Sequence, residues 1–239
     1  TAAGLVAQLH PDDAIDRLLE CYGQFAGRRL DIDEAVYRSE AETGHRNRAI
    51  AHLLRGSGAL PVEPDAALDL YFQQCSVSVD AHDLGVMAAT LANGGRNPLT
   101  GKQAATRTTV RNVLSVMASC GMYNGAGEWL YTVGLPAKSG VGGGIIAVLP
   151  GQFGLAVFSP PLDAHGNSER GVRVCRDLSA EMDLHLVRAG HRAAPPIHSI
   201  YTLAQIGSKL QRTVAEHDRL ADVGRTAVVV EIQGDLDFS

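Results

Sequence analysis

Nowhere in this 239-residue sequence do about 18 apolar residues follow one another, the length a membrane-spanning helix needs. A helical membrane protein is therefore not expected. Basic runs are also absent. With 21 Lys and Arg against 26 Asp and Glu, the net charge is −5, and such a chain offers no electrostatic footprint for nucleic acid. Cysteine is scarce: Cys21, Cys75, Cys120 and Cys175 stand far apart and form no Cys-x-x-Cys. Single thiols in apolar segments read as small buried hydrophobes in a reducing compartment, which points to the cytoplasm. The nine histidines are read as never meeting cysteine or carboxylates at ligand spacing, so no metal site is expected. An initiator methionine and a leader are lacking too. The chain opens Thr1-Ala2-Ala3-Gly4-Leu5-Val6 inside an apolar pattern, and the expectation is a fragment or a processed product.

What remains is an ordinary globular composition, 45% hydrophobic and 20% charged, sufficient for one large or two modest domains. Apolar residues at helical spacing run through residues 3–26, broken at His10-Pro11-Asp12-Asp13. Asp12 is expected to cap a second helix with the stripe Ile15, Leu18, Leu19, Tyr22 and Phe25, ended by Gly27. A further helix is expected to start at Asp31-Ile32-Asp33-Glu34, and others over 49–54, 62–74, 80–92 and 109–117. On pattern alone Tyr71 belongs to the apolar side of the 62–74 helix. Past Met122 the residues favour strands: Trp129 to Val133, Gly143 to Leu149 and Phe153 to Phe158. Pro150-Gly151-Gln152 joins the last two as a hairpin. Asn167-Ser168 then caps a helix, residues 188–198 read as a linker, 201–220 as helix-compatible, and 226–232 as a buried-type strand. The fold class is α+β, helices first and antiparallel strands with a packed terminal helix after.

Two stretches carry chemistry. In Ala137-Lys138-Ser139-Gly140-Val141-Gly142-Gly143-Gly144 a lysine, a hydroxyl and a glycine end one extended segment, and three glycines open the next. Glycine lets a ligand approach the backbone closely, and a strand edge under a lysine suits an acyl or carboxylate substrate. Lys-Ser-Gly is also the third motif of serine hydrolases with a Ser-x-x-Lys nucleophile. The second stretch is the polar run from Ser39 to Arg48. A solvated loop is the ordinary reading of such a decapeptide. The functional one is a substrate clamp, with Glu40 for an ammonium group and Asn47 seven residues on, where two helical turns share a face.

These stretches, with Leu70-Tyr71-Phe72-Gln73-Gln74-Cys75-Ser76, Leu91-Ala92-Asn93-Gly94-Gly95, Cys120-Gly121-Met122-Tyr123, Ser159-Pro160-Pro161-Leu162-Asp163 and Gly166-Asn167-Ser168, resemble the bacterial serine-dependent glutaminases over residues 1–187. That family has the fold of β-lactamases and penicillin-binding transpeptidases. The resemblance implies hydrolysis of L-glutamine to L-glutamate and ammonia through an acyl-enzyme, with no metal or organic cofactor. It gives Glu40 and Asn47 the amino-acid end of the substrate and makes Tyr71 and Tyr123 the active-site tyrosines, Tyr71 being favoured for proton transfer. Val141 supplies a backbone N–H to the oxyanion hole. Lys138 adds positive charge or anchors its strand.

One departure matters. No Ser-x-x-Lys occurs before residue 40, and without an activated serine no acyl-enzyme forms. This chain alone is therefore expected to be incomplete, its nucleophile on an absent N-terminal segment of the same protein. The expected domains are 1–187 for the glutaminase part, 188–222 for linker and helix, and 223–239 for the start of a domain resembling STAS modules. A homo-oligomer is left open. Two alternatives stand: a non-catalytic glutamine-binding or regulatory module, and a transpeptidase- or β-lactamase-like hydrolase.

Overall fold

Helical spacing becomes helix throughout the first 120 residues. The computed structural model describes residues 1–187, 197–205, 212–226 and 228–232. In it α1 (Ala2–Leu9), α2 (Ala14–Ala26), α3 (Glu34–Thr43), α4 (His45–Gly56), α5 (Pro64–Cys75), α6 (Ala81–Ala92) and α7 (Arg107–Cys120) follow one another. A 3-10 turn (Tyr123–Gly125), α8 (Ala126–Thr132), β1 (Ala137–Ser139), β2 (Gly144–Leu149), β3 (Phe153–Phe158) and α9 (Glu169–Met182) complete the unit Thr1–Leu186.

The strands form an antiparallel sheet in the order β1-β2-β3, with Ala137 opposite Ala147 and Gly144 opposite Phe158. β2 shows why this sheet sits in the middle of the unit. Its side chains alternate between faces: Ile145, Ala147 and Leu149 join Trp129, Val133 and Cys175 on the α8 and α9 side. Ile146 and Val148 meet Leu91, Val110 and Leu114 of α6 and α7 on the other. A third cluster, Ala51, Leu60, Ala67, Leu68 and Phe72, holds α4 and α5 together.

Several helix ends follow the expected chemistry. Asp33 caps α3 by accepting from the N–H groups of Ala35 and Val36. Ser168 caps α9, and Gly27 ends α2 in the left-handed region at φ 79°. At α6 Asp80 and Asp83 form a reciprocal capping box. Asp83 is 1% exposed and also accepts two hydrogen bonds from Arg28, 2.6 and 2.5 Å long. The Arg28 hydrogen bonds hold its carboxyl below the usual carboxylate range. A lowered folded-state value means the unfolded chain binds more protons on acidification, so this anchor stabilises above the ordinary carboxylate range and is lost as pH falls through the folded value. Asp83→Asn is expected to cost about 3 kcal/mol at pH 7 and to flatten the loss of stability toward pH 3. Thermal unfolding across that range reads both.

Four expectations are corrected. Trp129 to Val133 is not a strand but belongs to α8 and the residue after it. A short apolar run does not distinguish a strand from a buried helix. Here Ala126, Trp129 and Val133 are buried while Tyr131 is 85% exposed, a helical spacing, and the Trp129 indole N–H donates to the Leu135 carbonyl at 2.8 Å. Asp12 does not cap α2. Asp13 stands at its N-cap without a capping bond, because its carboxylate is taken by Arg17 one turn on. The run from Ser39 to Arg48 is not a loop but the end of α3, Gly44 and the start of α4.

The last correction falls in the unit Val187–Ser239. There β4 (Ile197–Thr202) pairs antiparallel with β5 (Val228–Ile232), Tyr201 opposite Val229. Tyr201 and Thr202 are thus strand, not helix, and α10 (Val214–Val223) starts at a Thr213–Glu216 capping box. β5 has the neighbour that a lone strand requires. Of the expected linker, 188–196 lies outside the described residues and Ile197 and His198 belong to β4; residues 233–239 also lie outside.

Candidate active site

The polar residues singled out above converge because two helices break at one glycine. α3 ends and α4 begins at Gly44, where a side chain would press into the Phe72 ring and the Glu40 carbonyl. Glu40 and Asn47 therefore sit on two helices, not two turns apart on one, and both come to α5. Both are half-buried, and neither has a hydrogen-bond or ion-pair partner among the described residues.

Tyr71 is the centre of this arrangement. Pattern placed it in the core, but it is 39% exposed, whereas its neighbour Phe72 is 2% exposed. With Asn47 it lines a cavity of about 340 Å³ whose other walls include Ile50, Leu54, Leu60 and Leu68. Its hydroxyl is pushed up to about 12, first by a hydrogen bond with Cys75, then by burial, then by the charges of Cys75, Glu40 and Tyr123. At neutral pH Tyr71 is a neutral hydroxyl. Cys75, one turn along α5, is raised by burial against the opposing effect of the Tyr71 bond. Sequence reasoning missed Cys75, and its one available signal was the i, i+4 spacing from Tyr71.

Tyr123 stands across from this group at the start of the 3-10 turn, with φ 51°. A positive φ in a tyrosine costs of order 1–3 kcal/mol and persists where surroundings hold it. Two contacts do so. The Tyr123 hydroxyl donates to the Ser139 carbonyl at 3.1 Å, and the Lys138 ammonium lies 4.5 Å from the ring centroid. Lys138 also donates to the Ser139 carbonyl, so it anchors the end of β1 as well as placing positive charge beside Tyr123. Desolvation lowers its pKa.

Val141 follows in the β1–β2 turn, 73% exposed. The Gly143 N–H closes this turn on the Gly140 carbonyl at 2.9 Å. Among the described residues the Val141 N–H has no acceptor, which leaves it available to a ligand. Contacts link Tyr123 with Lys138, and mutual charge effects link Tyr71 with Glu40 and Tyr123. No hydrogen bond, ion pair or ring contact joins Val141 to Glu40 or Asn47. A larger cavity, about 500 Å³, lies among Asp16, Glu20, Arg28 and Lys102 and includes none of the six residues.

Among the described residues the expectation that no histidine meets carboxylates fails at two places: His10 Nδ1 lies 3.7 Å from Asp13 Oδ1, and a second histidine joins a carboxylate pair. In the latter, Asp80, His82 and Asp83 bring ligand atoms within 4.8 Å of one another. Both carboxylates already serve the capping box and Arg28, so the cluster has a structural role. Among the described residues no helix is long and apolar enough to cross a membrane.

Residues 1–187 match the family model described as Glutaminase. Glutaminase 2 of Bradyrhizobium diazoefficiens is 49% identical over 236 residues, 99% of this chain and 38% of that protein. The glutaminase of Trichormus variabilis is 57% identical over 174 residues, 73% of this chain and 52% of that protein. The chain thus spans about half or less of the length of these relatives. Among solved structures, Mglu in its glutamate form superposes with a TM-score of 0.77 at 42% identity, over 84% of this chain and 47% of that one. The Bacillus subtilis glutaminase YbgJ, in covalent complex with 5-oxo-L-norleucine, superposes with a TM-score of 0.74 at 31% identity, over 77% and 67%. These neighbours and the α+β arrangement assign the β-lactamase-like fold. By sequence and by fold, this chain belongs to the glutaminase family.

Proposed function

We propose that this chain supplies most of the active site of an enzyme that hydrolyses L-glutamine to L-glutamate and ammonia through an acyl-enzyme. The carrying observation is that Glu40, whose charge is felt at Tyr71, and Asn47, which shares a cavity with Tyr71, have no partner among the described residues, which leaves a carboxylate for an ammonium and an amide for a carboxylate. Glu40 takes the substrate ammonium and Asn47 its carboxylate. The free Val141 N–H serves the oxyanion, where one such donor is worth about 3 kcal/mol. Tyr71, neutral at physiological pH, hands a proton to the departing ammonia, and Tyr123 with Lys138 shapes the opposite wall. The covalent complex of the B. subtilis relative supports the acyl-enzyme route, since the ketone of 5-oxo-L-norleucine stands where glutamine has its amide carbon.

No Ser-x-x-Lys occurs in these 239 residues. The proposal therefore places the nucleophile on an N-terminal segment outside them. Only Cys175 is the small buried hydrophobe expected, Cys21, Cys75 and Cys120 being exposed, but as free thiols all four favour the cytoplasm. Residues 223–239 are proposed as the start of a STAS-like domain, although β5 pairs with β4, which precedes that boundary. A binding module without turnover is the second reading, favoured by the missing serine alone.

Glutamate release from L-glutamine, measured on the 239-residue chain and on the longer chain carrying the Ser-x-x-Lys segment, tests this. Turnover by the longer chain and none by the shorter is the expected result. Glu40→Gln should raise KM roughly 10- to 100-fold, the worth of a charge-assisted hydrogen bond of about 1.5–3 kcal/mol. Binding of L-glutamate with no turnover by either chain would leave the binding module standing instead.

A further inference from the structure

Arg48 joins three helices, at points that each lie one residue along the chain from Glu40, Asn47 or Tyr71. On α4 it follows Asn47 directly. Its Nη2 donates to the carbonyl of Ala41, the residue after Glu40 on α3. Its guanidinium lies over the ring of Phe72, the residue after Tyr71 on α5, 5.6 Å from the centroid. Arg48 is half-buried, and no carboxylate among the described residues pairs with it.

Local sequence speaks against an arginine at this place. A helix N-terminus disfavours positive charge, yet the first turn of α4 holds Arg46 and Arg48 and no acidic residue. Gly44 at the N-cap has no side chain with which to cap it. A residue that breaks a local rule is repaid in tertiary structure or function, and for Arg48 the gain lies across the break. The final carbonyls of a helix have no partner within it, and Ala41 belongs to the last turn of α3. A guanidinium there meets a free acceptor and the negative end of the α3 dipole together. The Phe72 ring, 2% exposed, fills the space where Gly44 lacks a side chain, and Arg48 lies on that same ring. A planar guanidinium suits both tasks, since it stacks on an aromatic face while its N–H groups donate. One ring and one guanidinium thus hold α3 and α4 where they meet.

We propose that Arg48 is a positioning residue that sets the separation of Glu40 from Asn47, and with it the affinity for the amino-acid end of the substrate. It acts through the two helices and not by touching the substrate. The inference rests on the roles proposed above for Glu40 and Asn47.

The material for the test is the longer chain carrying the Ser-x-x-Lys segment. L-glutamate affinity by calorimetry and steady-state kinetics with L-glutamine are measured well below the denaturation midpoint of each variant. Calorimetry decides even where no turnover occurs. Arg48→Met keeps an unbranched stem over Phe72 and loses the guanidinium. It should weaken L-glutamate binding and raise KM roughly tenfold or more, as expected of a binding group misplaced by about 1 Å, with kcat within about twofold. A merely structural loss lowers the active fraction, and so kcat, and leaves KM where it was. In a Glu40→Gln background Arg48→Met should add little, because coupled residues are not additive. Arg46→Met removes a like charge from the same turn at an exposed position and should change neither constant. Unchanged KM and L-glutamate affinity in Arg48→Met, while Glu40→Gln weakens both, overturn the positioning role and leave the proposed function intact. Full additivity in the double variant, or an equal effect of Arg46→Met, does the same. No effect of Glu40→Gln overturns the role of Glu40 and this inference with it.

Discussion

Tyr71→Phe is expected to lower kcat for L-glutamine by a factor of about 10² to 10⁴, the range for removing a positioned proton-transfer group. KM should change little, because Glu40 and Asn47 hold the amino-acid end without the tyrosine hydroxyl. The reason for choosing Tyr71 is its surroundings. Its hydroxyl is bonded to Cys75, partly buried and faced by Glu40, which together push it up to about 12. It therefore stays protonated through the physiological range and can act as a donor to the leaving nitrogen. The ring of phenylalanine keeps the same volume against α4, so a loss of activity reads chemistry, not packing. Steady-state kinetics on the longer chain, with L-glutamate affinity measured alongside, checks this. An unchanged kcat with intact affinity would assign the proton to another group. Cys75→Ser supplies a second readout: it keeps a partner for the Tyr71 hydroxyl, and kcat should fall far less than in Tyr71→Phe.

The second large effect is on stability. Gly121 ends α7, and there the helix meets β1 backbone to backbone: the Ser139 N–H donates to the Gly121 carbonyl at 3.1 Å. A methyl group on Gly121 would overlap the Ala137 carbonyl oxygen and crowd the Met117 carbonyl. Neither backbone atom can step aside by rotation, so α7 and β1 must separate. Gly121→Ala is expected to cost about 3 kcal/mol or more, at the upper end for overpacking. The strand displaced is the one that carries Lys138 and Ser139, and Tyr123 is two residues from the substitution. Loss of the Tyr123–Ser139 contact should follow in whatever fraction stays folded. Gly127→Ala is the control. That glycine lies in α8, exposed, with nothing within 4 Å of the added carbon, and should gain about 0.5–1 kcal/mol from helix propensity. Denaturant midpoints for the two variants should move in opposite directions. A Gly121→Ala midpoint at or above that of the unaltered chain would show that α7 and β1 have room between them.

The order of elements was legible in the sequence wherever one residue decides a local matter. Asp33, Ser168 and the Asp80–Asp83 pair cap helices because a short oxygen-bearing side chain reaches the free N–H groups of the first turn. The strands Gly143 to Leu149 and Phe153 to Phe158 and their Pro150-Gly151-Gln152 turn were legible too, while which face of β2 meets which helices came only with the packing. The family was legible because residues 137–144 and 39–48 come in fixed order with Tyr71 and Tyr123. Other features belong to the tertiary structure alone. Trp129 to Val133 reads equally as strand or helix, and helix prevails because Trp129 and Val133 must both enter the α9 side of the sheet while Tyr131 stays in water. Glu40 and Asn47 lie seven residues apart, yet each comes near Tyr71 from its own helix, across a break at Gly44 where the Phe72 ring leaves no room for a side chain, and not through helical periodicity. The raised hydroxyl of Tyr71 and the positive φ of Tyr123 arise from groups distant in the chain. Burial and charge at a point in space depend on every segment that reaches it, so local sequence determines the segments and only their packing determines the site.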